Sequence, residues 1–171
     1  MPELTGWKRH STKNIPMMQW LLDRGADPNV TNYMGVLPIS WAVYGEMNPG
    51  PAMLLAHGAA LPPNILTTAI PASDRPGKSG GTDMVRFLID NGAELNHINR
   101  VRRHSGTPIY FAASQGYLDI VQLLLDAGAD ATIRCHDETP ADVARQEGHM
   151  DVYELLVKAT DPSAAHGPSL A

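Results

Sequence analysis

The stretch Leu124-Leu125-Asp126-Ala127-Gly128-Ala129-Asp130 decides the fold, because closely similar stretches occur three more times along the chain. These stretches are 21–27, 54–60 and 88–94. Their glycines, at positions 25, 58, 92 and 128, are 33, 34 and 36 residues apart. A nearly fixed period of this length indicates an array of short structural repeats, each too small to bury its apolar face alone.

A second set of residues recurs in the same register between these glycines. It consists of 37–39 (Leu-Pro-Ile), 107–109 (Thr-Pro-Ile) and 139–141 (Thr-Pro-Ala), each followed by an alanine at 42, 112 or 144. Threonine can cap a helix by accepting a hydrogen bond from an early backbone N–H, and proline fits the first helical position. The set therefore predicts the start of an inner helix in each repeat. Helical spacing of apolar residues predicts outer helices at 15–22, 83–89, 117–125 and 150–157.

These two columns resemble the ankyrin repeat, whose period is about 33 residues and whose repeat begins with a Thr-Pro motif. The resemblance covers roughly residues 4–159. It implies an all-α solenoid of about five helix-turn-helix repeats in one domain, residues 1–160. The expected repeats are 1–31, which is partial, 32–61, 62–96, 97–130 and 131–160. Residues 161–171 lack periodicity and predict a disordered tail.

The second and third repeats depart most from this pattern. Leu37 stands where a capping threonine is expected, and Pro49 and Pro51 predict a short outer helix. An insertion follows in the 73–82 loop. We therefore expect the array to be least stable around residues 38–70.

Composition narrows the function classes. The net charge of -5 argues against broad attraction to nucleic acid or anionic lipid, and no apolar run is long enough to span a bilayer. The start of the chain has no apolar signal segment, and its single cysteine excludes an internal disulfide. These features predict an intracellular protein, cytoplasmic or nuclear, and we expect a monomer without a cofactor.

Two sequence motifs raise the question of a nucleotide-binding site and of a zinc site. Gly77-Lys78-Ser79 matches the end of a phosphate-binding loop, so the alternative function is a nucleotide-dependent switch or enzyme using the 73–82 loop. The preceding residues predict a helix where that motif requires a strand, which favours a solvated insertion. His104, Cys135 and His136 fall in adjacent connections, but three loosely spaced ligands do not predict a structural zinc site.

The connection 97–104 carries three arginines, two histidines and no acid. Arginine pairs with carboxylates through two parallel hydrogen bonds, so this basic connection predicts an acidic protein surface or peptide as partner, unless it is simply a solvated loop. The ankyrin resemblance further implies that partners contact the turns between repeats, called fingers here, and the concave side of the inner helices. By register the candidate contact residues are Tyr33, Met34, Tyr44, Arg100, Arg102, Arg103, His104, Ser114, Gln115, His136 and Gln146. The function expected is a protein–protein interaction module with no catalytic residue.

Four further residues have competing interpretations. Trp20 and Trp41 lie in columns that hold Leu123 and Phe111 elsewhere, which predicts that both are core residues. The resemblance also draws attention to Asn29 and Asn96 as candidates for hydroxylation. The simpler hypothesis is that both asparagines hydrogen-bond the finger backbone.

Overall fold

The protein is described by a computed structural model over residues 15–45, 49–70, 81–100 and 105–161. Within these ranges every regular element is an α-helix, and the extended pairing is limited to two isolated antiparallel bridges. The prediction of an all-α repeat fold is therefore confirmed. The chain divides into two compact units, Met1–Ala69 and Ile70–Ala171, which we call the N-terminal and C-terminal units.

The N-terminal unit contains α1 (Ile15–Asp23), α2 (Pro38–Tyr44), α3 (Gly50–Ala56) and α4 (Ile65–Ala69). The inner helix α2 packs against α3 and α4, and the outer helix α1 packs against α3. Its core consists of fully buried side chains, among them Met18, Ile39, Leu54, Ile65 and Leu66. The outer helix α3 is only seven residues long because Pro49 and Pro51 confine it, as the sequence predicts.

The C-terminal unit contains α5 (Gly81–Asp90), α6 (Pro108–Ser114), α7 (Leu118–Asp126), α8 (Pro140–Gln146) and α9 (Met150–Thr160). The inner helices α6 and α8 pack against each other, and the outer helix α7 packs between α5 and α9. Its core includes Leu88, Ile109, Val121, Leu124 and Leu156. Inner helices thus stack on inner helices and outer helices on outer helices, and this stacking buries the apolar face of each repeat.

The inner helices differ in whether a side chain caps their first turn. The hydroxyl oxygen of Thr107 accepts a hydrogen bond from the Tyr110 N–H at 3.3 Å. At α8 the exchange is reciprocal, since Thr139 accepts from the Asp142 N–H at 3.1 Å and its own N–H donates to the Asp142 carboxylate at 3.0 Å. These bonds confirm both predicted caps, whereas Leu37 gives α2 no side-chain cap.

Each recurring glycine ends an outer helix by the same backbone geometry. Gly128 has φ +91°, its N–H donates to the Leu125 carbonyl at 2.9 Å, and the Ala129 N–H donates to the Leu124 carbonyl at 2.9 Å. This pair of bonds is a Schellman motif, which requires a left-handed residue and so favours glycine. The repeated glycine is thus the local signal that sets the period.

Asparagines after these glycines connect one repeat to the next. The Asn29 side chain donates to the Gly58 carbonyl at 3.0 Å and accepts from the Ala60 N–H at 2.8 Å. In the C-terminal unit Asn96 accepts from the Asp130 N–H at 2.9 Å. Both asparagines hydrogen-bond backbone groups, and these groups lie just after the outer helices α3 and α7 of the following repeats.

Two expectations are corrected. The outer helix expected at 83–89 begins at Gly81, so residues 81 and 82, expected in the 73–82 loop, belong to its first turn. Trp20 is not a core residue, since 48% of it is exposed and the Arg24 guanidinium lies 3.8 Å from its ring centroid. Leu123 occupies the equivalent position in α7 and is buried, because α7 packs against outer helices on both sides, α5 and α9. Among the described outer helices, α1 packs mainly against α3.

Candidate binding surface

The first finger, residues 32–36, presents two apolar side chains on a fixed turn. The Asn32 carboxamide oxygen accepts from the N–H groups of Met34 at 2.9 Å and Val36 at 3.1 Å, and Gly35 has φ +73°. Tyr33 at the tip is 95% exposed and Met34 is 59% exposed. The hydrogen bonds of Asn32 therefore fix the backbone of the turn, while the side chains of Tyr33 and Met34 remain exposed to solvent.

Tyr44 lies at the end of the inner helix α2 and is 47% exposed. Its ring meets that of Trp41 edge to face, with 6.1 Å between centroids. Trp41 itself is half-buried, so the core expectation holds only in part, and its indole Nε1 has no hydrogen-bond partner within the described residues.

The basic finger opens from the antiparallel pair formed by Asn99 and Gly106, whose backbone bonds are 2.9 and 3.1 Å long. Arg100, the first residue beyond this pair, is exposed. Arg102, Arg103 and His104 lie outside the described residues. The pair encloses residues 100–105, which makes this finger longer than the next one, as the sequence predicts.

The last finger is a tight hairpin closed by the pair Cys135 and Glu138. His136 and Asp137 between them both have positive φ, 54° and 64°. Two successive left-handed residues form the turn type that suits a two-residue hairpin, although neither residue is glycine. The turn exposes the candidate His136 and buries the Cys135 side chain to 4% exposure.

Glu138 joins two inner helices of the C-terminal unit. Its carboxylate accepts hydrogen bonds from the Tyr110 hydroxyl of α6 at 3.3 Å and from the Gln146 amide of α8 at 2.7 Å. Burial and the Glu138 carboxylate raise the pKa of Tyr110 to about 12. The candidate Gln146 is therefore held in position by the finger beside it.

The other two inner-helix candidates are adjacent at the end of α6. The Ser114 hydroxyl donates to the Phe111 carbonyl of its own helix at 2.9 Å, and the Gln115 amide lies 3.5 Å from the Ser114 oxygen. Both side chains are half-buried. Sequence reasoning missed Glu138 and Tyr110, although the direct succession Glu138-Thr139-Pro140 places a carboxylate at the base of the inner helices.

The described residues give no support to a phosphate-binding loop or to a metal site. The Gly77-Lys78-Ser79 segment lies outside the described residues, and the element before it is the helix α4 rather than a strand. Across 15–45, 49–70, 81–100 and 105–161, three or more His, Cys, Asp or Glu side chains nowhere come together as a metal site. No helix in those ranges has the length and apolar content required to cross a bilayer.

Comparisons with known proteins agree with this architecture. A family model described as ankyrin repeats (3 copies) matches residues 72–166. The Danio rerio protein ZDHHC13, which is named as a palmitoyltransferase, is 30% identical over 121 residues, or 71% of this chain and 18% of that protein. Cyclin-dependent kinase 4 inhibitor B of Rattus norvegicus is 32% identical over 119 residues, or 68% of this chain and 86% of that protein. The repeat register, the helix pairs and these matches together place the chain in the ankyrin-repeat family.

Proposed function

We propose that this chain is a non-catalytic protein-binding module whose partners contact the fingers and the exposed side of the inner helices. The observation that carries the proposal is the exposure of Tyr33 and Met34 on a hydrogen-bonded turn. Exposed aromatic side chains on a fixed backbone are the residues that most often carry binding energy at protein interfaces. Tyr44, Ser114, Gln115, His136 and Gln146 are the further contact residues in this proposal.

The basic finger gives the C-terminal unit a second contact of different chemistry. Arg100, Arg102 and Arg103 have no acid near them in sequence, within a chain of net charge -5. Their guanidinium groups suit a carboxylate-rich protein surface, with His104 as a further donor. This attraction acts over a distance of about one Debye length, roughly 8 Å at physiological salt, so it accelerates association more than it slows dissociation.

The test is a triple charge reversal, R100E/R102E/R103E. A matched control is R24E/R86E/K158E, which reverses two exposed charges on the outer helices α5 and α9 and one, Arg24, directly after α1. Each reversal changes the charge by two, so both variants move from -5 to -11. We expect proteins that the wild type retains from a cell lysate to be lost by the first variant and kept by the control. Their association rates, measured on the purified partner, should differ most at low salt.

Equal retention by both charge-reversed variants would remove the basic finger from the proposal and leave the aromatic finger. The circular dichroism spectrum and melting temperature should hardly change in either variant, because exposed charges contribute little to stability. A melting temperature that rises with ATP or GTP would instead support the nucleotide-dependent alternative.

The similarity to cyclin-dependent kinase 4 inhibitor B makes a cyclin-dependent kinase the first purified partner to test. The chain covers most of that inhibitor's length, so a shared binding mode is a specific candidate. We expect inhibition of the kinase that weakens in a Tyr33→Ser variant. No inhibition at micromolar concentrations would exclude this class of partner and leave the general proposal intact.

A further inference from the structure

The N-terminal unit differs from the C-terminal unit in the charge of its fingers and inner helices. Residues 28–45 and 59–70, which comprise two fingers with α2 and α4, contain no Asp, Glu, Lys, Arg or His. The matching segments of the C-terminal unit, 95–115 and 131–147, carry charged residues in both fingers and in α8. Two such segments without Asp, Glu, Lys, Arg or His are unusual in a chain with 18% charged residues.

Apolar side chains are nevertheless exposed on these uncharged segments. Tyr33 and Met34 lie on the first finger and Tyr44 ends α2, whereas Pro63 is exposed in the second finger. Uncharged polar groups flank them in sequence, since Asn32 directly precedes Tyr33 and Asn64 directly follows Pro63. We call residues 32–45 and 61–68 the uncharged face.

We infer that the uncharged face binds a peptide segment of the partner that contains apolar residues and no charged ones. A charged side chain pressed against this face would lose hydration without gaining a counter-charge from residues 32–45 or 61–68. Apolar residues gain from burial against Tyr33 and Met34, and the backbone of the finger turn is already fixed, so little backbone entropy is lost on binding. This inference rests on the proposed function and names the partner chemistry for one part of its surface.

Salt dependence distinguishes this contact from that of the basic finger. Binding to the uncharged face has no Coulombic contribution to screen, so its dissociation constant should change less than about two-fold between low and high salt. Binding to Arg100 and its neighbours should weaken steeply over the same range. The two surfaces can therefore be separated without knowledge of the natural partner.

The probe is a displayed library of random twelve-residue peptides, selected on the immobilised full chain. Clones are sorted by whether they still bind the variant Y33S/M34S. A matched control, Trp20→Ser, removes another exposed aromatic residue from outside the uncharged face. We expect a class of clones that loses at least ten-fold in affinity with Y33S/M34S, keeps its affinity with the control, and carries no charged residue in its binding segment.

Two results would overturn the inference while leaving the proposed function standing. In one, the selected clones depend on Gln146 or Arg100 and not on Tyr33 or Met34. In the other, the clones that need Tyr33 and Met34 carry conserved acidic or basic residues, or weaken more than five-fold in high salt. A selection that yields no binding clone for any part of the chain would contradict the proposed function itself.

Discussion

Replacing Asp137 by glycine should stabilise the protein. Asp137 has φ +64° in the last finger, a backbone conformation that a residue with a Cβ adopts at a cost. Gly35 occupies the corresponding place in the first finger, three residues before the proline of the inner helix, and has φ +73°. The guanidinium of Arg134 donates to the backbone carbonyl of Asp137, a group that glycine keeps.

The expected gain follows from two opposing effects. The left-handed conformation costs an L-residue about 1–2 kcal/mol, and aspartate pays the lower end because its side chain tolerates this region. Glycine removes that cost but adds freedom to the unfolded chain, which costs about 0.5–1 kcal/mol. The net stabilisation of D137G should be up to about 0.5 kcal/mol, a rise in melting temperature of at most roughly 1–2 °C for a chain of this size.

Thermal unfolding of D137G and D137A, followed by circular dichroism at 222 nm, tests this estimate. Alanine removes the same carboxylate but keeps the Cβ and loses the tolerance of aspartate, so D137A should melt below the wild type. If D137G melts no higher than D137A, the left-handed backbone is not the source of the strain and the reasoning is refuted.

Three further predictions follow from the helix ends, the N-terminal unit and Tyr110. Thr139→Ala should lower the free energy of unfolding by about 1 kcal/mol, measured by urea denaturation, because the capping box at α8 is lost. An unchanged midpoint would show that the cap contributes nothing. Amide exchange over residues 38–70 should be faster than over 108–156, since α2 lacks a side-chain cap and α4 has five residues. Tyr110 should keep its proton to about pH 12, so stability falls as the pH rises above 10.0, where the unfolded chain already loses that proton. The ultraviolet titration of Tyr110→Phe should lack this late step.

The parts of the fold that sequence predicts are those set by local backbone chemistry. Gly128 ends its helix in a Schellman motif and Thr139 caps the next one, and both follow from residue type and position alone. The exposure of Trp20 depends on which helices flank α1. The residues at the same position in other repeats, such as Leu123, carry no information on these neighbours. Likewise, the left-handed conformation of His136 arises from closing the Cys135 and Glu138 pair.

For the candidate surface, sequence register placed Tyr33, Met34 and Tyr44 on exposed positions. It did not predict that Gln146 would be held by Glu138, because this contact joins residues eight positions apart across a helix start. Hydrogen bonds between side chains of different elements depend on tertiary geometry, which periodicity does not specify. The binding roles of the candidate residues stay predictions.

The asparagine that connects the first two repeats also bears on how the protein ages chemically. Hydrolysis of the Asn29 amide would turn its Nδ2 donor into a carboxylate oxygen facing the Gly58 carbonyl, 3.0 Å away in the intact protein. The bond from the Ala60 N–H would survive and even strengthen, because its acceptor gains charge. Deamidation at this position would therefore break one of the two hydrogen bonds that Asn29 makes to the following repeat and keep the other.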